Sequence, residues 1–194
     1  MKYLLFLLPF FTLFTCISEI PVDQANTNNL PWPENLPVYD HIVIVMEENK
    51  DYEEIIGNPC AAYINKLSKE GANFTQMFGE EHFSQGNYFW LFSGSNQDVG
   101  FSDTVPTGAD FTTSNLGYQL LQHNYSFKGY SESLPEIGST VVKQGDYARK
   151  HVPWVSFSNV PNGTTVETSS NLRFKDFPDP SHYDNLPTVS FVIP

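Results

Sequence analysis

Apolar residues in this chain come mostly in short unbroken runs, with little polar–apolar alternation. Asp40 to Met46 contains the β-branched run Ile42-Val43-Ile44-Val45, the pattern of a strand buried on both faces of a parallel sheet. Thr188 to Ile193 repeats it, and Ser126 to Tyr130, Trp154 to Phe157 and Phe74 to Phe78 read as shorter strands. Between these runs the period changes. Ala61 to Lys69 puts Ile64 and Leu67 on one helical face and meets a stop at Gly71, and Leu116 to Gln122 reads as a second short helix. Ser84-Gln85-Gly86-Asn87 leads directly into Tyr88-Phe89-Trp90-Leu91-Phe92, which predicts a core helix with Ser84 as its N-cap. Asn96 to Thr113 and Pro161 to Pro187 carry the turn residues of loops. Strands alternating with helices predict an α/β fold, a largely parallel sheet flanked by helices.

The first residues belong to a different pattern. Lys2 precedes an apolar run from Leu4 to Phe11, and small or polar residues follow at Thr15, Cys16 and Ser18. This is the arrangement of a secretory signal peptide and is too short for a membrane span. The expected organisation is a signal peptide at 1–18, an exposed Asn- and Pro-rich lead-in at 19–37, and one domain at 38–194. A secreted, extracellular protein follows, with a periplasmic location or a lipid anchor on Cys16 as the minor bacterial alternative. Three N-glycosylation sequons, at Asn73, Asn124 and Asn162, are compatible with export. With the signal removed, Cys60 has no cysteine to pair with, so a disulfide scaffold is excluded.

A formal net charge of −12 argues against nucleic acid or an anionic membrane surface as partner. Acidic proteins still handle phosphate esters where cations offset the repulsion locally. The strand ending at Met46 runs into Glu47-Glu48-Asn49-Lys50-Asp51. Ligand sites in open α/β sheets lie beyond such carboxyl ends, and oxygen donors there suit a hard divalent cation; a solvated acidic loop is the plain alternative. The N-terminus of the helix at Ser84 is electropositive and favours an anion, phosphate above all. Ser84 is therefore a candidate nucleophile as well as a cap.

Several blocks together resemble the phosphoesterase family of bacterial acid phosphatases and phosphatidylcholine-type phospholipases C, in the alkaline-phosphatase-like superfamily. They are His41 to Asn49, His82 to Tyr88, Phe92 to Ser95, Gly129 to Pro135, Tyr147 to Trp154 and Leu186 to Pro194. The resemblance implies that Glu48 and Asn49 bind a divalent metal of unidentified type, together with Ser84. It also implies that Ser84 is the nucleophile and that Asn87 contacts the phosphoryl oxygens. A metal lowers the hydroxyl pKa, and with Asn87 it steadies the transferred group. The implied activity is metal-dependent phosphomonoester hydrolysis through a phosphoserine. Phospholipase C action on phosphodiesters and a catalytically inactive secreted binding protein are the alternatives. The chain departs from the family pattern at Phe83 and Gly86, where proline is usual, and Gly86 is expected to loosen the turn. It also stops at Pro194, before the family's remaining metal ligands, so the domain is expected to be incomplete.

Other candidates follow from residue chemistry. Arg149, Lys150 and His151 suit phosphate binding or proton transfer to a leaving group; a solvated basic turn is the plain alternative, and the family block singles out His151. The family resemblance implies a place near the phosphate for Glu132, with a polar loop as the plain alternative. Gly129-Tyr130-Ser131-Glu132-Ser133 lacks the last glycine of a hydrolase nucleophile elbow. His82 cannot face Ser84 along a helix and is expected to pack locally. Asp179, His182 and Asp184 are metal-capable types within a Pro-rich loop.

Overall fold

The sheet is organised around its most deeply buried strand. The structure, a computed structural model, describes residues 37–194, so the signal peptide and most of the lead-in lie outside the described residues. Strand β6 (Val189–Ile193) is buried along its whole length. It lies between β1 (Ile42–Val45) and β2 (Phe127–Ser131), and β5 (Asn171–Arg173) completes the order β1-β6-β2-β5. All three pairings are parallel. The expected parallel α/β sheet is therefore present, and the residues Tyr39–Pro194 form one compact unit.

One face of the sheet carries the main core. Strand alternation puts Phe127 and Gly129 of β2 on the same side as Val189, Phe191 and Ile193 of β6. Helix α3 (Ser84–Ser93) lays Phe89 and Phe92 over that side. Phe92 meets Phe127, Phe157 and Phe191 with ring centroids 5.3 to 6.0 Å apart, in tilted or edge-on arrangements that aromatic quadrupoles favour. Trp154 completes the cluster, its ring lying over Gly129, where any Cβ would overlap it. Its indole Nε1 donates to Asn171 Oδ1 at 3.1 Å, which fixes the ring and satisfies the buried donor. A smaller cluster of Tyr130, Leu172 and Val192 occupies the opposite face.

After the single-turn helix α1 (Tyr52–Ile55), helices α2 (Ala62–Glu70) and α4 (Leu116–Gln122) match their predicted positions to within a residue. Four expectations are corrected. Phe74 to Phe78 is not a strand, and Phe74, Met77 and Phe78 are more than 70% exposed. Trp154 to Phe157 is a 3-10 turn over Pro153–Ser156, because Pro153 fixes its own φ and Phe157 N bonds back to Trp154 O. Strand β5 arises within the stretch Pro161 to Pro187 read as loop, and a short hairpin of β3 (Lys143–Gln144) and β4 (Tyr147–Ala148) forms where no element was assigned. Lastly, β1 is not buried on both faces: Ile42, Val43 and Val45 are 41 to 52% exposed, with β6 as its strand neighbour among the described residues.

Candidate active site

Since the strands are parallel, their carboxyl ends share one edge of the sheet, and the site is built there. Met46 N donates to Val192 O at 2.9 Å, which holds the end of β1 against β6 and delivers Glu47 and Glu48 just beyond it. Helix α3 begins close by. Its N-cap is Phe83, not Ser84, and the Ser84 hydroxyl makes no capping bond. Ser84 already has helical backbone geometry as the first residue of the helix, so its side chain is free for another partner. It donates to Glu48 Oε1 at 3.4 Å. The free N–H of Gln85 is taken by Asp103 Oδ1, at 3.2 Å. At its other end the helix stops at Gly94, whose φ of 68° suits a residue without a side chain.

A third element completes the cluster. The short 3-10 helix Arg149–His151 follows β4 and projects its last two side chains toward α3. His151 Nε2 lies 3.0 Å from Glu48 Oε1, the oxygen that faces Ser84, and Lys150 Nζ donates to Asp103 Oδ2 at 2.7 Å. Burial lowers the His151 pKa, opposed by the Glu48 carboxylate beside it. Tyr88 stands one turn along α3 from Ser84, its ring centroid 5.3 Å from that of His151. It is 4% exposed and its hydroxyl has no partner among the described residues. Burial, and then the charges of Glu48 and Glu47, raise its pKa.

The structure thus brings Glu48, Ser84, Lys150 and His151 together. Other predicted residues stand differently. The Asn87 amide is engaged by backbone: Oδ1 accepts from Glu81 N at 2.8 Å and Nδ2 donates to Glu81 O at 2.7 Å, clamping the approach segment onto α3. Asn49 is exposed at the end of β1 with φ of 60°. Glu132 follows β2 on the same sheet edge, its backbone N donating to Ile193 O while the residue is exposed. Arg149 is buried at 3% exposure and donates to the carbonyls of Thr140 and Pro106, a tie between loops. His82 is exposed and does not pack. Asp179 accepts from Ser181 N and Oγ, capping its own 3-10 turn. Among the described residues no three His, Cys, Asp or Glu side chains gather in a metal-binding group.

Gly86 has a spatial reason that differs from the loosened turn expected of it. The Glu81 carboxylate lies against its Cα, where a Cβ would overlap Oε2. That carboxylate also accepts from Trp90 Nε1 at 2.9 Å and Asn96 Nδ2 at 2.5 Å. Sequence reasoning missed Asp103, Tyr88 and Glu81. Tyr88 looked like core, and the two acids lie in segments without periodicity.

The Phosphoesterase family pattern matches residues 58–194, which contain Ser84, Asp103, Lys150 and His151. The chain belongs to the Phosphoesterase family. It is 48% identical over 159 residues to a Mycobacterium tuberculosis protein named phosphatidylinositol-3-phosphatase, covering 82% of this chain and 50% of that relative. It is 28% identical over 191 residues to the phosphate-repressible acid phosphatase of Penicillium chrysogenum, covering 91% of this chain and 44% of the relative. A probable acid phosphatase of Kluyveromyces lactis is 26% identical over 163 residues, 80% of this chain and 37% of the relative. The chain thus spans half or less of the length of these relatives. No solved structure gives a significant match.

Proposed function

We propose that this chain carries the serine side of a phosphomonoesterase, a hydrolase acting on phosphate esters through a phosphoserine at Ser84. One observation carries the reading. The Ser84 hydroxyl, at the first turn of α3, and His151 Nε2 converge on a single oxygen of Glu48, at 3.4 and 3.0 Å. Family membership and relatives named as phosphatases support the same chemistry.

Ser84 Oγ attacks phosphorus as its proton leaves toward the Glu48–His151 pair. The bond from phosphorus to the leaving oxygen breaks, and the departing alkoxide takes a proton from His151. Water then hydrolyses the phosphoserine and restores Ser84. Lys150 and the electropositive end of α3 supply positive potential at the transferring oxygens.

The donor chemistry also fits one side of a hard-cation site. Glu48 and Ser84 present oxygens 3.4 Å apart at a strand end, and Asn49 follows directly. These three residues would hold a divalent ion, which supplies further lowering of the hydroxyl pKa and neutralisation of phosphoryl charge. Six or more oxygens are usual for such an ion, and this cluster provides a part of that number.

The Mycobacterium relative is named for a phosphomonoester on a lipid, which favours a monoester over the phosphodiester of a phospholipase C. The signal-like N-terminus supports secretion. Hydrolysis of p-nitrophenyl phosphate, with and without added divalent cations, tests the proposal. Ser84→Ala is expected to reduce turnover to background, and mass spectrometry should detect a phosphoryl adduct on Ser84 in the unaltered chain that is lost in this variant. Turnover surviving that substitution overturns the phosphoserine, and phosphate binding without turnover returns the chain to the inactive binding protein.

A further inference from the structure

The two groups best suited to hold a phosphate are already holding a carboxylate. Gln85 N, a free N–H in the first turn of the ten-residue helix α3, donates to one oxygen of Asp103, and Lys150 Nζ donates to the other. The carboxylate bridges a helix end and an ammonium as two phosphoryl oxygens would. The pair is open to exchange with solvent, with the Lys150 and Asp103 side chains 30% and 32% exposed.

Two further features concern what happens when it leaves. Tyr88, on the same face of α3 as Ser84, has a buried hydroxyl with no acceptor among the described residues. A donor in that state calls for an acceptor that Asp103 does not provide. The Asp103 segment is also pinned on both sides. Asn96 donates to Glu81, and Phe111 bridges to Phe157. Between those ties Gln85 Nε2 donates to Thr104 O at 2.7 Å and Arg149 donates to Pro106 O, so withdrawal of Asp103 also loosens the bond at Thr104.

We infer that Asp103 is an internal stand-in for the anion this site accepts, and that its withdrawal from Gln85 and Lys150 is a condition of phosphate binding. This rests on reading the α3 N-terminus as the phosphate seat. It adds a basis for substrate selection. A phosphomonoester carries close to two negative charges at neutral pH and displaces a singly charged carboxylate more readily than a phosphodiester does. Asp103 is then a specificity-determining residue that favours monoesters.

The test is titration of the chain with inorganic phosphate by calorimetry. Asp103→Asn keeps the size of the side chain and removes its charge. It is expected to tighten phosphate binding by about tenfold, the scale of one charge-assisted hydrogen bond. Adding Lys150→Met is expected to cancel the gain. Unchanged or weaker binding by Asp103→Asn, or a gain that persists without Lys150, overturns the inference. A second measurement uses the unaltered chain. Phosphate should increase amide hydrogen exchange in the segment around Asp103, and phosphate binding with that segment equally protected also overturns it. The proposed nucleophile fails separately. If Asp103→Asn gains affinity while Ser84→Ala still turns over, the stand-in survives and the phosphoserine does not.

Discussion

The two sides of the candidate site are built to different standards. Behind α3 and His151 lies the aromatic cluster on β2 and β6, where Phe92, Phe127, Trp154, Phe157 and Phe191 are each 0 to 1% exposed. On the side that supplies Glu48, most apolar residues of β1 and α2 are open, with Ile44 alone in β1 packing against that core. Ile42, Val45 and Leu67 are each about half exposed, and α2 buries none of its residues. Ser84, Lys150 and His151 are thus held by a closed core, while Glu48 hangs from a strand with one described neighbour. The hydrophobic effect rewards area removed from water, so the same residue types stabilise one region far more than the other. Positional precision at the site should follow that division.

The largest expected effect tests the closed region. Phe92→Ala removes a ring that touches four aromatic neighbours, and large-to-small changes of this kind cost about 3 to 5 kcal/mol. Urea denaturation should show that loss as a fall in midpoint with the slope retained. Next comes the clamp between the two regions. Asn87→Ala leaves Glu81 N and Glu81 O without their partners, a cost of about 1 to 3 kcal/mol. Hydrogen exchange at residues 79–83 should rise together with the loss of stability. A stable variant with unchanged exchange there would show that the clamp is idle and leave Asn87 available for the phosphoryl contact that its family block implies.

Legibility in the sequence divides along the same line. The runs at Ile42–Val45 and Val189–Ile193 announced parallel strands, because an unbroken β-branched run has few other uses. Ser84 and Glu48 became legible together through the family blocks that contain them, since a serine at a helix start and an acid after a strand each have a plain structural reading as well. What covers a strand is a property of its neighbours, and so the exposure of β1 could not be read from its own residues. The same holds for β5, whose Asn171 is buried by bonds to Trp154 and to Ser139 O. It holds for Asp103 as well, which lies 18 residues from its partner Gln85 and 47 from Lys150. Local pattern specifies elements, and long-range hydrogen bonds choose the loop residues that finish the site.

A smaller effect is expected at the far edge of the closed region. Asp176 receives Arg173 Nε and Nη2, each at 2.8 Å, and Arg173 N at 3.1 Å. The Arg173 bonds hold its carboxyl below the usual range. A depressed folded pKa stabilises at pH values above the unfolded carboxylate value, and that contribution is lost as pH falls through the folded value. Asp176→Asn should therefore cost about 1 kcal/mol near neutral pH. The difference from the unaltered chain should shrink as pH drops below about 4. A difference that stays constant into acid would mean the loss is one of packing, with no part played by the charge.

The smallest expected effect is the most informative about the open region. Ile64 lies on the exposed face of α2, at 37% exposure, close to Leu67 at 46%. Ile64→Ala gives up some half-buried area and gains helix propensity, two small terms of opposite sign, so the net change should stay within about 0.5 kcal/mol. The chain's own packing gives no reason for a larger one. Were Ile64→Ala to approach the cost of Phe92→Ala in the same urea experiment, that face would have to be covered in solution. The contrast between the two regions would then vanish, and Glu48 would be as firmly placed as Ser84.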